Sequence, residues 1–394
     1  MLKQLIQLPS AVWALGFVSL LNDAASDLIY PLLPIYLASV LMTGPAAIGL
    51  IEGLAETVSS VLKLISGLIA DRVSKSKPLV VVGYALAAVS RPLIALAATW
   101  PVVLALRFMD RVGKGLRSAP RDAILASSVE ASRRGLAFGL QRGMDNAGAV
   151  VGPLVAWILL AQGMAIQDII VLTAVPGLLT VLLAGSVHEP ARCRAASPGL
   201  PALSASIPPR LRRYLTVLAL FSLGNSSNMF LLLQAKLAGV PDQQIPLLWG
   251  LTSLVATLLS TPLSALSDHW GRVGMILCGW LIYAAFYVFL GAHPGDSTWL
   301  WPAFGTYGVF LAATEGAEKA LVADLAPTEQ LGTAYGWFNL TTGVTLMPAS
   351  VIFGLLWEQL APAAAFGFAA GCAALAATLL WFWVGSEAAA RPGQ

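Results

Sequence analysis

The sequence predicts an all-α membrane protein of about 12 transmembrane helices in two similar halves. Three observations carry that expectation. Of 394 residues, 57% are hydrophobic and only 11% are charged, against about 25% charged in a soluble domain. Apolar runs of about 18–25 residues recur along the whole chain, long enough to cross roughly 30 Å of hydrocarbon. Segments of the first half also align with segments of the second.

The runs fall near 11–39, 46–70, 78–99, 101–126, 135–160, 168–187, 213–237, 244–266, 274–292, 298–324, 331–357 and 363–386, numbered here spans 1 to 12. Their length makes them helices, which satisfy their own backbone hydrogen bonds in lipid. The start has the look of a cleaved leader, with Lys3 before an apolar run and small residues near Ala24. The apolar pattern continues through Leu37, so it is expected to stay as span 1. With the N-terminus inside, Lys3, Arg72, Lys75, Lys77, Arg133, Arg134, Arg192, Arg194, Arg210, Arg212, Arg213, Arg272 and Arg391 all face the cytoplasm, and the opposite loops hold no Lys or Arg. That asymmetry places both termini in the cytoplasm. The net charge of +3 is then mostly positive-inside bias and gives no reason to expect a nucleic-acid partner. Cys193, Cys278 and Cys372 make no disulfide or metal spacing, and His188, His269 and His293 are too scattered for a metal or catalytic cluster.

Taken in order, the first-half spans carry many charges. Span 1 has Asn22, Asp23 and Asp27, the two acids four apart on one face, with Tyr30 beyond them. Span 2 has Glu52, Glu56 and Lys63 along one stripe, and ends in Gly67, Asp71 and Arg72. Span 3 has Arg91 near mid-depth, followed by Pro92. Span 4 holds Arg107, Asp110, Arg111, Lys114, Arg117, Arg121 and Asp122. Each such charge costs about 2.5–3.5 kcal/mol at a bilayer centre on insertion scales. Arg117 and Arg121 are near enough to the cytoplasmic end to snorkel, whereas Arg107, Arg111 and Lys114 need partners or a cavity. Span 5 has Arg142, Asp145 and the run Gly148, Gly152, Pro153, whose spacing permits close helix packing and a kink.

Residues 188–212, rich in Pro, Ala, Ser and Arg, read as a cytoplasmic linker between an N-terminal six-helix bundle (1–187) and a C-terminal one (213–394). The stretch 121–139 aligns without gaps on 318–336, matching Gly135, Ala137 and Gly139 to Gly332, Ala334 and Gly336. Likewise Ser19, Leu20 and Asn22 match Ser222, Leu223 and Asn225. Parallel repeats of this kind suggest a transporter with its substrate between the halves. The second half is polar in a different way: Asn225 and Asn228 in span 7, Glu315, Glu318 and Lys319 in span 10, and Asn339 in span 11. After span 8, Asp268, Gly271 and Arg272 repeat the pattern that closes span 2.

On these motifs the chain resembles the major facilitator superfamily (MFS) along essentially its whole length. The family's loop between spans 2 and 3 reads roughly G-x-L-a-D-R-x-G-R-R; Gly67, Leu68, Asp71 and Arg72 match it, while Ser74 and Ser76 depart. The second copy keeps Asp268, Gly271 and Arg272 but lacks the first glycine. Gly148, Gly152 and Pro153 resemble the G-x-x-x-G-P motif of antiporter members, without its trailing glycines. In span 4, Arg107 fits the family's arginine, whereas Arg111 and Lys114 replace small residues. The resemblance implies two pseudo-symmetric six-helix bundles and a monomeric, multi-pass transporter of the bacterial cytoplasmic (inner) membrane. It implies a small-molecule substrate, no enzyme activity and no cofactor, with the proton gradient as driving force. The twin aspartates Asp71 and Asp268 would then help latch the cytoplasmic side.

Two transport readings remain open on sequence. Seven acids face eight bases within spans 1–5, so most charges can form a structural ion-pair lattice. Among the acids, Asp23 and Asp27 lead as proton carriers, then Glu56, with Glu52 and Asp145 as further candidates; such a protein would be a proton-coupled antiporter working in efflux. Lys63, Arg91, Arg107, Arg111, Lys114 and Arg142 belong to the lattice or to the cavity. If instead Arg91, Arg107, Arg111 and Lys114 clamp an anion, the protein imports an anionic metabolite, chelate or organophosphate.

Overall fold

The computed structural model describes residues 8–72, 76–129, 134–189, 207–293, 297–326 and 331–385. These residues are helical almost throughout, with no strand among them. Each of the 12 apolar segments coincides with one helix or a broken pair. Among the described residues, nine helical stretches are long and apolar enough to cross a membrane. Spans 4, 8 and 10 are helices of 28, 26 and 26 residues, Trp100–Ser127, Ile245–Trp270 and Leu300–Leu325. Span 4 falls short on hydropathy because its charges dilute the apolar content, not because it is short. The linker predicted at 188–212 falls mostly on residues outside those described.

Three spans are discontinuous, span 6 only at Thr173, between Ile166–Leu172 and Ala174–Ser186. Span 1 comprises Ser10–Ile29 and Leu33–Ser39, interrupted where Pro31 and Pro34 remove backbone donors. Span 7 comprises Pro209–Gly224 and Met229–Leu237. Its break is the run Asn225, Ser226, Ser227, Asn228, side chains that compete with the backbone for hydrogen bonds. The freed groups find partners: the Tyr283 hydroxyl donates to the Gly224 carbonyl at 2.9 Å, and the Ser227 amide donates to Ser350 Oγ at 3.1 Å. Backbone at membrane depth that leaves the helix needs such compensation.

The chain forms two compact units. Unit 1 holds residues 1–42, 54–200 and 242–250; unit 2 holds 43–53, 201–241 and 251–394. Each unit therefore takes in a short segment from the other sequence half: the start of span 2 joins unit 2, and the start of span 8 joins unit 1.

Within unit 2 the core is aromatic. Phe221 stacks on Trp280 at 4.3 Å and 4° between planes, Tyr283 on Tyr287 at 4.1 Å, and Phe353 meets Phe366 edge-on at 5.3 Å. Within unit 1, span 5 lies against span 1 through its glycines. A Cβ on Gly148 would stand 2.5 Å from the Leu20 carbonyl oxygen, and one on Gly152 2.6 Å from that of Ala24. The seam thus fixes the stretch of span 1 that carries Asp23 and Asp27. Gly271, between spans 8 and 9, has φ +84°. Gly271→Ala is expected to lower stability by about 1 kcal/mol through left-handed strain, read as an earlier melting transition in detergent.

Candidate transport site

Unit 1 gathers its charges around Asp110, which is fully buried. Arg91 Nε lies 3.1 Å from it, Arg107 at 3.5 Å and Arg111 at 3.7 Å. Arg91 also donates to the Asn22 carbonyl and side-chain oxygens, at 2.9 and 3.2 Å. Arg117 donates to Asn22 Oδ1 at 3.3 Å and to the Gly83 carbonyl at 3.2 Å, with its guanidinium 4.6 Å above the Tyr84 ring. Asn22 thereby ties spans 3 and 4 to span 1. A second carboxylate, Glu56, receives Arg111 at 3.3 Å and Lys114 at 3.8 Å. A third centre joins spans 1, 4 and 5: Arg121 lies 2.9 Å from Asp122 and 3.9 Å from Asp145, while Gln141 donates to both Asp145 (2.7 Å) and Ser19 (2.9 Å). Partly desolvated guanidinium–carboxylate contacts of this kind are the strong class of hydrogen-bonded pair.

Asp23 and Asp27 stand apart from this lattice. Asp23 accepts from the Asn22 amide at 2.8 Å, and Asp27 from the Trp249 indole at 3.2 Å. Among the described residues, neither carboxylate has a cation within 4 Å. Tyr30 lies against Trp249, ring centroids 5.0 Å apart, so the Asp27 carboxylate faces an aromatic pair. A buried indole N–H needs an acceptor, and here Asp27 supplies it. Lys63 is half-buried, with no ion pair among the described residues. Glu52 is buried on the segment of span 2 that belongs to unit 2.

In unit 2, Asn225 sits half-buried at the break of span 7, with no side-chain hydrogen bond among the described residues. Asn228 accepts from the Tyr307 hydroxyl at 2.5 Å. Glu318 accepts from the Trp280 indole at 3.1 Å. Three of the candidates are open, of which the sequence reading counts Arg142 as buried. The Arg142 side chain is 64% exposed and reaches Asp145 only at 3.9 Å. Glu315, 61% exposed, pairs with Lys319 at 3.0 Å, and Asn339 is exposed with its amide on the Tyr335 carbonyl. Each lies on the helix face turned away from its unit's core, a distinction of angle that spacing in sequence does not carry.

Of the latch motif, the side chains of Gly67, Asp71, Arg72 and Asp268 lie outside the described residues. Arg272 reaches Asp324 at the end of span 10 (3.5 Å) and Ser267 Oγ (2.6 Å), both inside unit 2.

The sequence profile described as Major Facilitator Superfamily matches residues 15–260 and 215–394. The chain belongs to the major facilitator superfamily. An uncharacterised MFS-type transporter of Methanocaldococcus jannaschii is 33% identical over 389 residues, 95% of each chain. The multidrug resistance protein MdtH of Photorhabdus laumondii is 34% identical over 145 residues, 36% of each chain. The crystal structure of a mutant of the nucleoside transporter NupG superposes with a TM-score of 0.82 at 13% identity, over 95% of this chain and 100% of that one. At that identity the likeness is one of fold. This MFS chain is thus an integral, multi-pass membrane protein of a transporter family.

Proposed function

We propose that the protein is a proton-coupled antiporter that exports a small organic molecule by alternating access. It works as a monomer in the cytoplasmic (inner) membrane of a bacterium, without a cofactor and without enzyme activity, drawing on the proton gradient. The observation that carries this reading is the sorting of the acids. Among the described residues, Asp110, Glu56, Asp122 and Asp145 are each held by cations, while Asp23 and Asp27 have only neutral donors. A carboxylate without a cation gains most from a proton, because an isolated buried ion costs several kcal/mol. Asp27 therefore leads as carrier, Asp23 accompanies it, and Glu56 falls behind both. Export is favoured by the partial match to a multidrug resistance protein. The anion-clamp reading is weakened, since Arg91, Arg107, Arg111 and Lys114 each already pair with a carboxylate. Substrate recognition falls to Asn225 at the break of span 7, where a half-helix end and an uncommitted amide coincide.

The test uses proteoliposomes with an imposed pH gradient and counterflow, with ethidium as a lipophilic cation and citrate as an anion. Asp27→Asn is expected to abolish pH-driven ethidium movement while leaving counterflow in place. Asn225→Ala is expected to weaken ethidium affinity severalfold. Unchanged proton coupling in Asp23→Asn, Asp27→Asn and Glu56→Gln alike, or counterflow of citrate alone, overturns the reading.

A further inference from the structure

The half-chain alignment sets Glu318 where the first half has Arg121. The two positions are treated differently. Arg121 is met by Asp122 and Asp145. Glu318 has no cation within 4 Å among the described residues, and its one hydrogen bond comes from the Trp280 indole, at 3.1 Å on Oε1. Trp280 is itself fully buried and lies flat on Phe221, so this donor is rigidly placed. Tyr214, on span 7 in the same unit, is fully buried. Its buried hydroxyl has no hydrogen-bond partner among the described residues.

The charged groups on the elements packed around Glu318 are engaged elsewhere. On its own helix Lys319 is bound to Glu315, and its carbonyl accepts the Tyr335 hydroxyl of span 11. From span 9, Arg272 turns to Asp324 and Ser267. On span 7, Arg210, Arg212 and Arg213 lie at the exposed start of the helix. On span 11, Glu358 lies near the opposite end, accepting from the Ala46 amide. Glu318 is thus an acid beside aromatic rings, with one neutral donor and no positive partner among the described residues. A hard metal cation would need about six or more oxygens. The described residues hold no group of three or more His, Cys, Asp or Glu side chains that could supply them. A proton needs one oxygen.

We infer that Glu318 is a second proton-binding site, housed in unit 2 with Trp280 as its fixed donor, and separate from Asp27. The inference rests on the proton-coupled reading above but is tested independently of it. Infrared pH-difference spectra of the purified full chain in lipid nanodiscs should show protonated-carboxyl C=O bands that vanish as pH rises. Glu318→Gln should remove one of them and Asp27→Asn another. A Glu318→Gln spectrum identical to that of the unsubstituted chain overturns the inference and leaves the Asp27 reading standing. Loss of a band in Glu318→Gln, with none in Asp27→Asn, does the reverse. Should Glu318→Gln fail to fold, the unsubstituted chain serves. Dicyclohexylcarbodiimide adds to protonated carboxyls, so the peptide containing Glu318 should gain reagent mass at acidic pH and lose it as pH rises. A Glu318 peptide unlabelled at every pH overturns the proposal.

Discussion

Asp110→Asn is expected to lower the stability of the protein by about 3–5 kcal/mol, the usual result of removing one member of a buried ion group. Arg91, Arg107 and Arg111 all lie within 4 Å of this one carboxylate, which has no exposure. Removing its charge leaves three guanidiniums in mutual repulsion, away from bulk water. Those arginines also tie span 3 to span 4, and through Asn22 to span 1, so the loss extends beyond one pair. The measurement is thermal unfolding in detergent together with the yield of monodisperse protein. Arg142→Ala is the matched control: an open side chain 3.9 Å from Asp145 is worth less than about 1 kcal/mol. Asp27→Asn should resemble the control in stability, since no cation loses its partner, yet it alone of the three should remove proton coupling. That contrast separates acids that hold the protein together from acids that work in transport.

Much of this was legible in the sequence, and the residues explain where legibility stopped. Span length and apolarity located the helices, because each span must satisfy lipid by itself. Span 4 was also found despite its charges, since the apolar segment at 101–126 keeps the length of a span. The acids of interest were visible too, Asp23 and Asp27 by their spacing of four. Partner choice was not. Glu56 stood next after Asp23 and Asp27 as a carrier, and only the placing of spans 2 and 4 side by side shows Arg111 and Lys114 closing on it. Asp110 gave no sign of being the hub, because its ligands come from spans 3 and 4 at once. Trp249 and Trp280 went unassigned as donors to acids, although a signal existed. Tryptophan favours the membrane interfaces, so one placed inside a span requires an acceptor for its N–H. The break in span 7 was marked by its consecutive Asn and Ser residues, whereas the exposure of Arg142, Glu315 and Asn339 depended on helix rotation that no single-chain pattern specifies.

Gly152→Leu is expected to abolish transport and to lower stability by more than the 1–3 kcal/mol typical of overpacking. The reason lies in what the new side chain meets. A Cβ at Gly152 would stand 2.6 Å from the Ala24 carbonyl oxygen and 2.7 Å from the Leu28 amide nitrogen, both backbone atoms that cannot rotate aside. Even Gly152→Ala should be unfavourable. Exchanging glycine for alanine inside a helix ordinarily gains about 1 kcal/mol, but here span 1 must move away from span 5 to admit the methyl group. Gly143 provides the internal standard, since it lies on the same helix with nothing within 4 Å of an added Cβ. Gly143→Ala should therefore keep the propensity gain and melt slightly later. The displaced stretch of span 1 is the one that carries Asp23 and Asp27, so Gly152→Ala should also weaken pH-driven transport beyond what its stability loss explains. Equal melting temperatures and equal transport for Gly143→Ala and Gly152→Ala would show that the seam does not set the position of the carboxylates.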